Sequence, residues 1–214
     1  MKRKIALLAL LAVFAAIAAS GTIAYFTSET HAHNVITSGG IKVEIVEHSD
    51  GKPIEKDEDG TPIMPDSYKG VMPATSISKE VKVNNIQDKA WIRVKLGITV
   101  EGANHSDLDT KYIIPRFING ENHIPLDTLK TADNSFFKWI YADGYWYYNE
   151  PVEKDAFTDV LFHEVYFDKD MGNAYQNCTV KIDVEAEAIQ FANNELKEGD
   201  PITSVWGAPI VDAD

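Results

Sequence analysis

The chain has 214 residues, of which 20 are basic and 33 acidic, so its formal net charge is −13 at pH 7. This charge repels phosphates, and we therefore expect no nucleic-acid partner. The single cysteine, Cys178, has no second thiol with which to form an internal disulfide. The fold must therefore be held by its hydrophobic core.

Residues 1–24 have the features of a secretory signal peptide. A basic start at residues 2–4 is followed by an apolar stretch over residues 5–19 and then by small residues. Cleavage after Ser20 or after Ala24 satisfies the small-x-small pattern, and we favour Ala24. The alternative is an uncleaved anchor, but about 20 apolar residues are needed to cross a bilayer. We expect a secreted or cell-surface protein that meets the membrane only before cleavage and meets a signal peptidase during export.

Residues 25–39 follow the predicted cleavage site and are expected to be extended. Within them, His31 and His33 are two residues apart, so that in a strand both would lie on one face and could share a metal ion. The alternative is that both are simply solvated. Residues 40–214 are long enough to form one domain with a core of its own.

Strict alternation of apolar and polar residues recurs along this domain and predicts strands rather than helices. The clearest strand is 90–101, in which five apolar residues at spacing two share a face. In the segment 136–152, Asp143-Gly144 lies between two aromatic stretches and predicts a hairpin. Further strands are predicted at 40–48, 77–84, 158–167 and 178–191. We expect an all-β fold, a jelly-roll-like antiparallel β-sandwich with short helical excursions, one of them within 107–132.

An acidic loop at 49–66 is rich in Asp, Gly and Pro. Its carboxylates, among them Asp57 and Asp59, are the type of ligand that calcium prefers. The spacing does not match an EF-hand, and a solvated loop is the simpler interpretation. We therefore expect no cofactor, with calcium as the alternative.

The usual catalytic motifs are missing. His163-Glu164 lacks the second histidine of a His-Glu-x-x-His zinc site and lies in a predicted strand. Cys178 opens a strand, where a packed thiol is more common than a nucleophile. We expect the protein not to be an enzyme.

The aromatic hairpin has two interpretations. Aromatic residues at alternating strand positions are mostly core, which we favour. If instead Trp139, Tyr145 and Trp146 were exposed, they would suit a carbohydrate- or host-binding module.

Five stretches stand out when they are taken in chain order: "GTIAYFT", "TSGGIKVEIVE", "VMPATSISKEVKVNNIQDKAWIRVKL", "DGYWYYNEPV" and "KIDVEAEAIQ". In this order they resemble the TasA and camelysin family of exported matrix proteins, which a dedicated SipW-type signal peptidase processes. The similarity covers residues 5–46, 71–100 and 143–191. Family members usually have Pro-Gly-Asp where this chain has Pro73-Ala74-Thr75.

The resemblance implies a structural subunit of a Gram-positive biofilm matrix or surface fibre. In such proteins the mature N-terminal segment can be donated as a strand to the next subunit, so we expect self-association and contacts with other matrix or surface proteins. The assembly residues would be Tyr25, Phe26, Val35 and Ile36. The camelysin label of metalloprotease remains an alternative, with His31, His33 and His163 as its histidines.

Overall fold

The structure is a computed structural model. It describes residues 26–34, 41–55, 58, 63, 68–102, 108–131, 135–192 and 194–206, and for 26–34 and 69–70 it describes the backbone alone. None of the helices in these ranges is long and apolar enough to cross a membrane.

Twelve strands run through the described residues and form two six-stranded sheets. They are β1 (Phe26–Asn34), β2 (Val43–Ser49), β3 (Lys52–Pro53), β4 (Lys69–Val71), β5 (Thr75–Asn85), β6 (Ala90–Glu101), β7 (Ile113–Asn119), β8 (Asn122–Pro125), β9 (Trp139–Ala142), β10 (Tyr145–Tyr148), β11 (Phe162–Phe167) and β12 (Thr179–Gln190). The first sheet has the order β4-β1-β12-β6-β10-β9 and the second the order β3-β2-β5-β11-β7-β8. The predicted all-β sandwich is confirmed.

Helical structure is brief in the described residues. One α-helix, α1, covers Leu126–Leu129, and 3₁₀ turns cover Thr110–Tyr112, Asn173–Tyr175 and Ile202–Trp206. The last of these follows β12, at the end of the described residues. Residues 107–132 hold more strand than expected, because β7 and β8 pair with each other there as a hairpin.

The core lies between the two sheets and follows the alternation of the strands. In β12, alternate residues from Val180 to Ala188 are at most 1% exposed, and the residues between them are half-buried. The inward face of β6 is buried at Ile92, Val94 and Val100. Apolar side chains of both sheets thereby form one continuous cluster.

A second, smaller cluster covers the outer face of the first sheet. Trp91 lies on the face of β6 that the alternation assigns to solvent, yet it is 3% exposed. It packs with Tyr147, Ile202 and Val205, so the 3₁₀ turn Ile202–Trp206 shields this end of the sheet. Its indole nitrogen also donates to the Asn194 carbonyl oxygen at 2.7 Å.

Candidate functional site

Strand β1 occupies an inner position of the first sheet although it comes first in the described chain. It pairs in parallel with β12 over eight positions, from Thr27 opposite Thr179 to Asn34 opposite Ala186. On its other side it pairs with the short strand β4 at two positions only, Phe26 with Val71 and Thr27 with Lys69. Most of that second edge therefore has no partner strand among the described residues.

The residues of β1 that share the inner face with the core of β12 are small or polar. Val180, Ile182, Val184 and Ala186 are fully buried, and the positions in register with them are Ser28, Thr30, Ala32 and Asn34. Burial of a methylene group stabilises a fold by about 0.8 kcal/mol, and small or polar residues have few such groups to bury. The main-chain ladder with β12 extends over eight positions of β1.

The other predicted assembly residues lie mostly outside the described residues. Tyr25, Val35 and Ile36 are outside, as is the predicted cleavage site at Ala24, whereas Phe26 begins β1. The extended conformation expected after the cleavage site is present from Phe26 to Asn34.

The acidic loop is described in part. Asp57 and Asp59 are outside the described residues. Asp50 and Gly51 both have positive φ, at 51° and 72°, and join β2 to β3 in a tight turn. The described part of this loop is therefore a short hairpin, and the calcium alternative stays a prediction.

The aromatic hairpin β9–β10 is mainly core, as the alternation favours. Trp139 and Trp146 are each 2% exposed, and Tyr145 is half-buried. The Tyr145 hydroxyl donates to Glu187 Oε1 at 3.2 Å, and the Arg93 guanidinium lies 4.0 Å from the centre of its ring. These three residues do not form an exposed aromatic platform.

A cleft of about 290 Å³ lies between the sheets beside β6. Strand β10 pairs with β6 only at Arg93 and Val94, which leaves the following part of β6 uncovered by β10. Leu96 and Ile98 line the cleft together with Tyr141 and Lys130. Its lining mixes apolar and charged groups, and of Trp139, Tyr145 and Trp146 it contains only Trp146.

His163, on β11 of the second sheet, is hydrogen-bonded to the backbone. His163 Nδ1 accepts a hydrogen bond from the Ile118 amide at 3.1 Å, and burial lowers the pKa of its imidazole. Next to it, Glu164 Oε1 lies 2.7 Å from His123 Nδ1 and 3.6 Å from Arg116 Nη1. Glu164, the neighbour of His163 in the chain, is therefore already paired with His123 and Arg116.

Metal-binding clusters are not found in the part of the chain whose side chains are described, where no group of three or more His, Cys, Asp or Glu is placed to hold an ion. Cys178 is 2% exposed, and burial raises the pKa of its thiol, which disfavours the nucleophilic thiolate. It lies against the Ala174 carbonyl oxygen at 3.6 Å, in agreement with a packed residue.

One buried ion pair was not foreseen from the sequence. Lys79 Nζ lies 2.7 Å from Glu47 Oε1, with the two side chains 0% and 4% exposed. Desolvation lowers the pKa of Lys79, and the carboxylate of Glu47 opposes that effect. The signal was present in the alternation, since Lys79 and Glu47 both stand at positions where their strands otherwise place buried residues.

Comparison of the chain with protein-family models, with curated proteins and with solved structures found no match. The class that the fold defines is a two-sheet β-sandwich whose first described strand is inserted beside its last.

Proposed function

We propose that the protein is a secreted structural subunit of an extracellular matrix or surface fibre, and that copies assemble by donating β1 to the next copy. The observation that supports this is the position of β1 between β12 and β4, with a main-chain ladder of eight register pairs to β12. A ladder of this kind accepts the same strand from any copy of the chain.

Donation requires that β1 leave its own sheet without breaking the core. The small and polar residues at its inner positions make this exchange inexpensive in apolar burial, and eight residues, 35–42, connect β1 to β2 in the other sheet. A copy that gives its β1 forward and receives one from behind forms a head-to-tail contact. Such a contact continues into a fibre when the rotation between copies does not close a ring.

Within one chain the linked strand has a high effective concentration, so the self-paired monomer competes with donation. Polymerisation should therefore depend steeply on protein concentration. This competition also provides the test, because a covalent link between β1 and its own β12 removes only the donating form.

The experiment uses the register pair Glu29 and Lys181, which lie opposite each other on β1 and β12. In a Cys178→Ala background, Glu29→Cys combined with Lys181→Cys can form a disulfide, since neighbouring strands have a Cα separation within the allowed range. We expect the oxidised protein to remain monomeric and the reduced protein to form fibres, as followed by light scattering and electron microscopy.

A second arm mixes two single variants, Glu29→Cys and Lys181→Cys, at the concentration that gives fibres. Donation predicts a disulfide between unlike chains, whereas a pairing of Glu29→Cys with the distant Lys169→Cys should give no more than background. Fibres from the oxidised double variant, or no fibres from any form, would rule out donation of β1.

A further inference from the structure

The cleft beside β6 lies where the first sheet loses a neighbouring strand. β12 pairs with β6 along its whole length, whereas β10 pairs with it only at Arg93 and Val94. On the inward face of β6, Val94 and Val100 are 1% and 7% exposed, but Leu96 and Ile98 between them are only half-buried. The apolar interior is therefore accessible at the two residues that line the cleft.

The rest of the lining is also largely apolar. Ile113 at the start of β7 and Leu126 of α1 are each 3% exposed and face the cleft from the second sheet. Tyr141 and Trp146 contribute aromatic surface from the hairpin β9–β10. The volume, about 290 Å³, is at the lower end of the range of about 300–1,000 Å³ that is usual for ligand clefts. This size and lining favour a small ligand with an apolar body.

The charged groups of the cleft are mainly basic. Lys111 and Lys130 both line it, and Asp127 is the one acidic residue among the lining residues that the structure describes. The chain as a whole has a net charge of −13, so the sign of the cleft is opposite to that of the molecule. Charge complementarity therefore favours an anionic ligand in the cleft, although the net charge of the chain repels anions.

Both lysines are available to such a ligand. Lys111 Nζ lies 2.7 Å from Asp109 Oδ2, and Lys130 Nζ lies 2.8 Å from Asp127 Oδ1, with all four side chains at least 35% exposed. Exposed ion pairs contribute at most about 1 kcal/mol, so a ligand carboxylate can replace the protein carboxylate. Lys130 Nζ is also 4.5 Å from the centre of the Tyr141 ring, which places its ammonium beside the apolar lining.

We propose that this cleft binds a small anionic amphiphile, namely an aliphatic carboxylate. Its chain packs against Leu96 and Ile98, and its carboxylate pairs with Lys111 and Lys130 through charge-assisted hydrogen bonds. The described lining residues come from β6, β7, α1, the 3₁₀ turn Thr110–Tyr112 and the hairpin β9–β10. The site is therefore independent of the proposed donation of β1.

The test is calorimetric titration of the purified protein with sodium hexanoate and with sodium octanoate. We expect one saturable site per chain, with octanoate bound about 15-fold more tightly, since each buried methylene group strengthens binding about fourfold. Octylammonium chloride is the control for charge. Non-specific association with a chain of net charge −13 favours this cation, whereas the cleft favours octanoate.

Two pairs of variants locate the site. Lys130→Met should weaken octanoate binding about fivefold and leave the binding of uncharged octan-1-ol unchanged. Lys169→Met, at an exposed lysine paired with Asp170, is its control and should change neither affinity. Ile98→Trp should fill the cleft and abolish binding of both ligands. Thr99→Trp, at the next and exposed position of β6, is the matched control and should retain binding.

Four outcomes would overturn the proposal. They are the absence of saturable octanoate binding, tighter binding of octylammonium than of octanoate, undiminished octanoate binding in Ile98→Trp, and equal octanoate affinity in Lys130→Met and the parent protein. The peptide acetyl-Gly-Gly-Val-Leu, which also ends in an apolar side chain and a carboxylate, is a further probe. If it binds more tightly than octanoate, the cleft is a site for a peptide C-terminus and not for an aliphatic carboxylate.

Discussion

At the scale of single residues, the most informative contact in the core is ionic. Lys79 and Glu47 lie on neighbouring strands β5 and β2 and meet inside the sandwich, where both are removed from water. The free energy of such a pair depends on both members being present, because a lone buried charge keeps its desolvation cost without compensation. Removal of one member should therefore lower the free energy of unfolding by more than the intact pair contributes to it.

Glu47→Gln is expected to lower the free energy of unfolding by about 3–5 kcal/mol, because the buried Lys79 ammonium loses the Glu47 carboxylate while its desolvation cost remains. Adding Lys79→Met should recover much of this loss. Urea denaturation of the two single variants and the double variant measures the coupling. Lys89→Met, at the exposed pair with Glu153, is the control and should cost at most about 1 kcal/mol. Additive losses for Lys79 and Glu47 would contradict the prediction.

His163 provides a prediction on pH. Burial lowers the pKa of its imidazole below the value of the unfolded chain, and the carboxylates of Glu80 and Glu164 oppose this only in part. The unfolded chain therefore binds the proton first as pH falls below about 6.5, and stability is lost as pH falls through the folded-state pKa. A proton added at Nδ1 would also occupy the atom that accepts the hydrogen bond from the Ile118 amide.

His163→Asn keeps an acceptor near the Nδ1 position but does not titrate. We expect its free energy of unfolding to fall less steeply than that of the parent between about pH 7 and pH 5, by up to about 1.4 kcal/mol per pH unit. Urea denaturation at a series of pH values gives both curves. Parallel curves over that interval would show that His163 contributes nothing to the acid sensitivity.

At the scale of elements, the hairpin β9–β10 is the part that the sequence describes best. Asp143 and Gly144 both have positive φ, at 50° and 83°, which is the conformation of a type I′ turn. Glycine adopts positive φ without strain, and a Cβ at position 144 would have no atom within 4 Å. The cost of a substitution is therefore a backbone cost without a clash.

Gly144→Ala should lower the free energy of unfolding by about 1–2 kcal/mol, since alanine is strained at positive φ. Gly172→Ala is the matched control, because Gly172 has a φ of −83° and equally open surroundings. It should change stability by less than about 0.5 kcal/mol. Chemical denaturation distinguishes the two, and equal effects would argue against the turn geometry.

Local patterns predict elements and faces well, but not which strands become neighbours. The alternation in β12 places Val180 and Val184 inside, as observed, because strand period follows directly from the backbone. The alternation in β6 assigns Trp91 to solvent, although the 3₁₀ turn Ile202–Trp206, more than 100 residues later in the chain, covers that face. The pairing of β1 with β12 depends on long-range register that no local pattern contains.

At the scale of the whole molecule, one core cluster extends across both sheets, which favours cooperative unfolding. Cys178 is a natural reporter of this behaviour, because it is buried in that cluster directly before β12. The residue that follows it, Thr179, is the first of β12 to pair with β1. Its reactivity should therefore respond to any opening of this edge.

We expect alkylation of Cys178 by iodoacetamide to be slow in the native protein and to accelerate in urea along the same transition as global unfolding. Burial and a raised pKa both protect the thiol. Mass spectrometry of the labelled chain gives the rate, and the denatured protein gives its upper limit. Rapid labelling without denaturant would indicate that the start of β12 opens independently of the core.

The pairing of the first described strand with the last long one also determines the timing of folding. Thr27 meets Thr179, so β1 has no partner on that side until nearly the whole chain has been synthesised. At about 5–20 residues per second, the interval is on the order of ten to thirty seconds. The ladder with β12 cannot form before then, and its formation should be among the last events of folding.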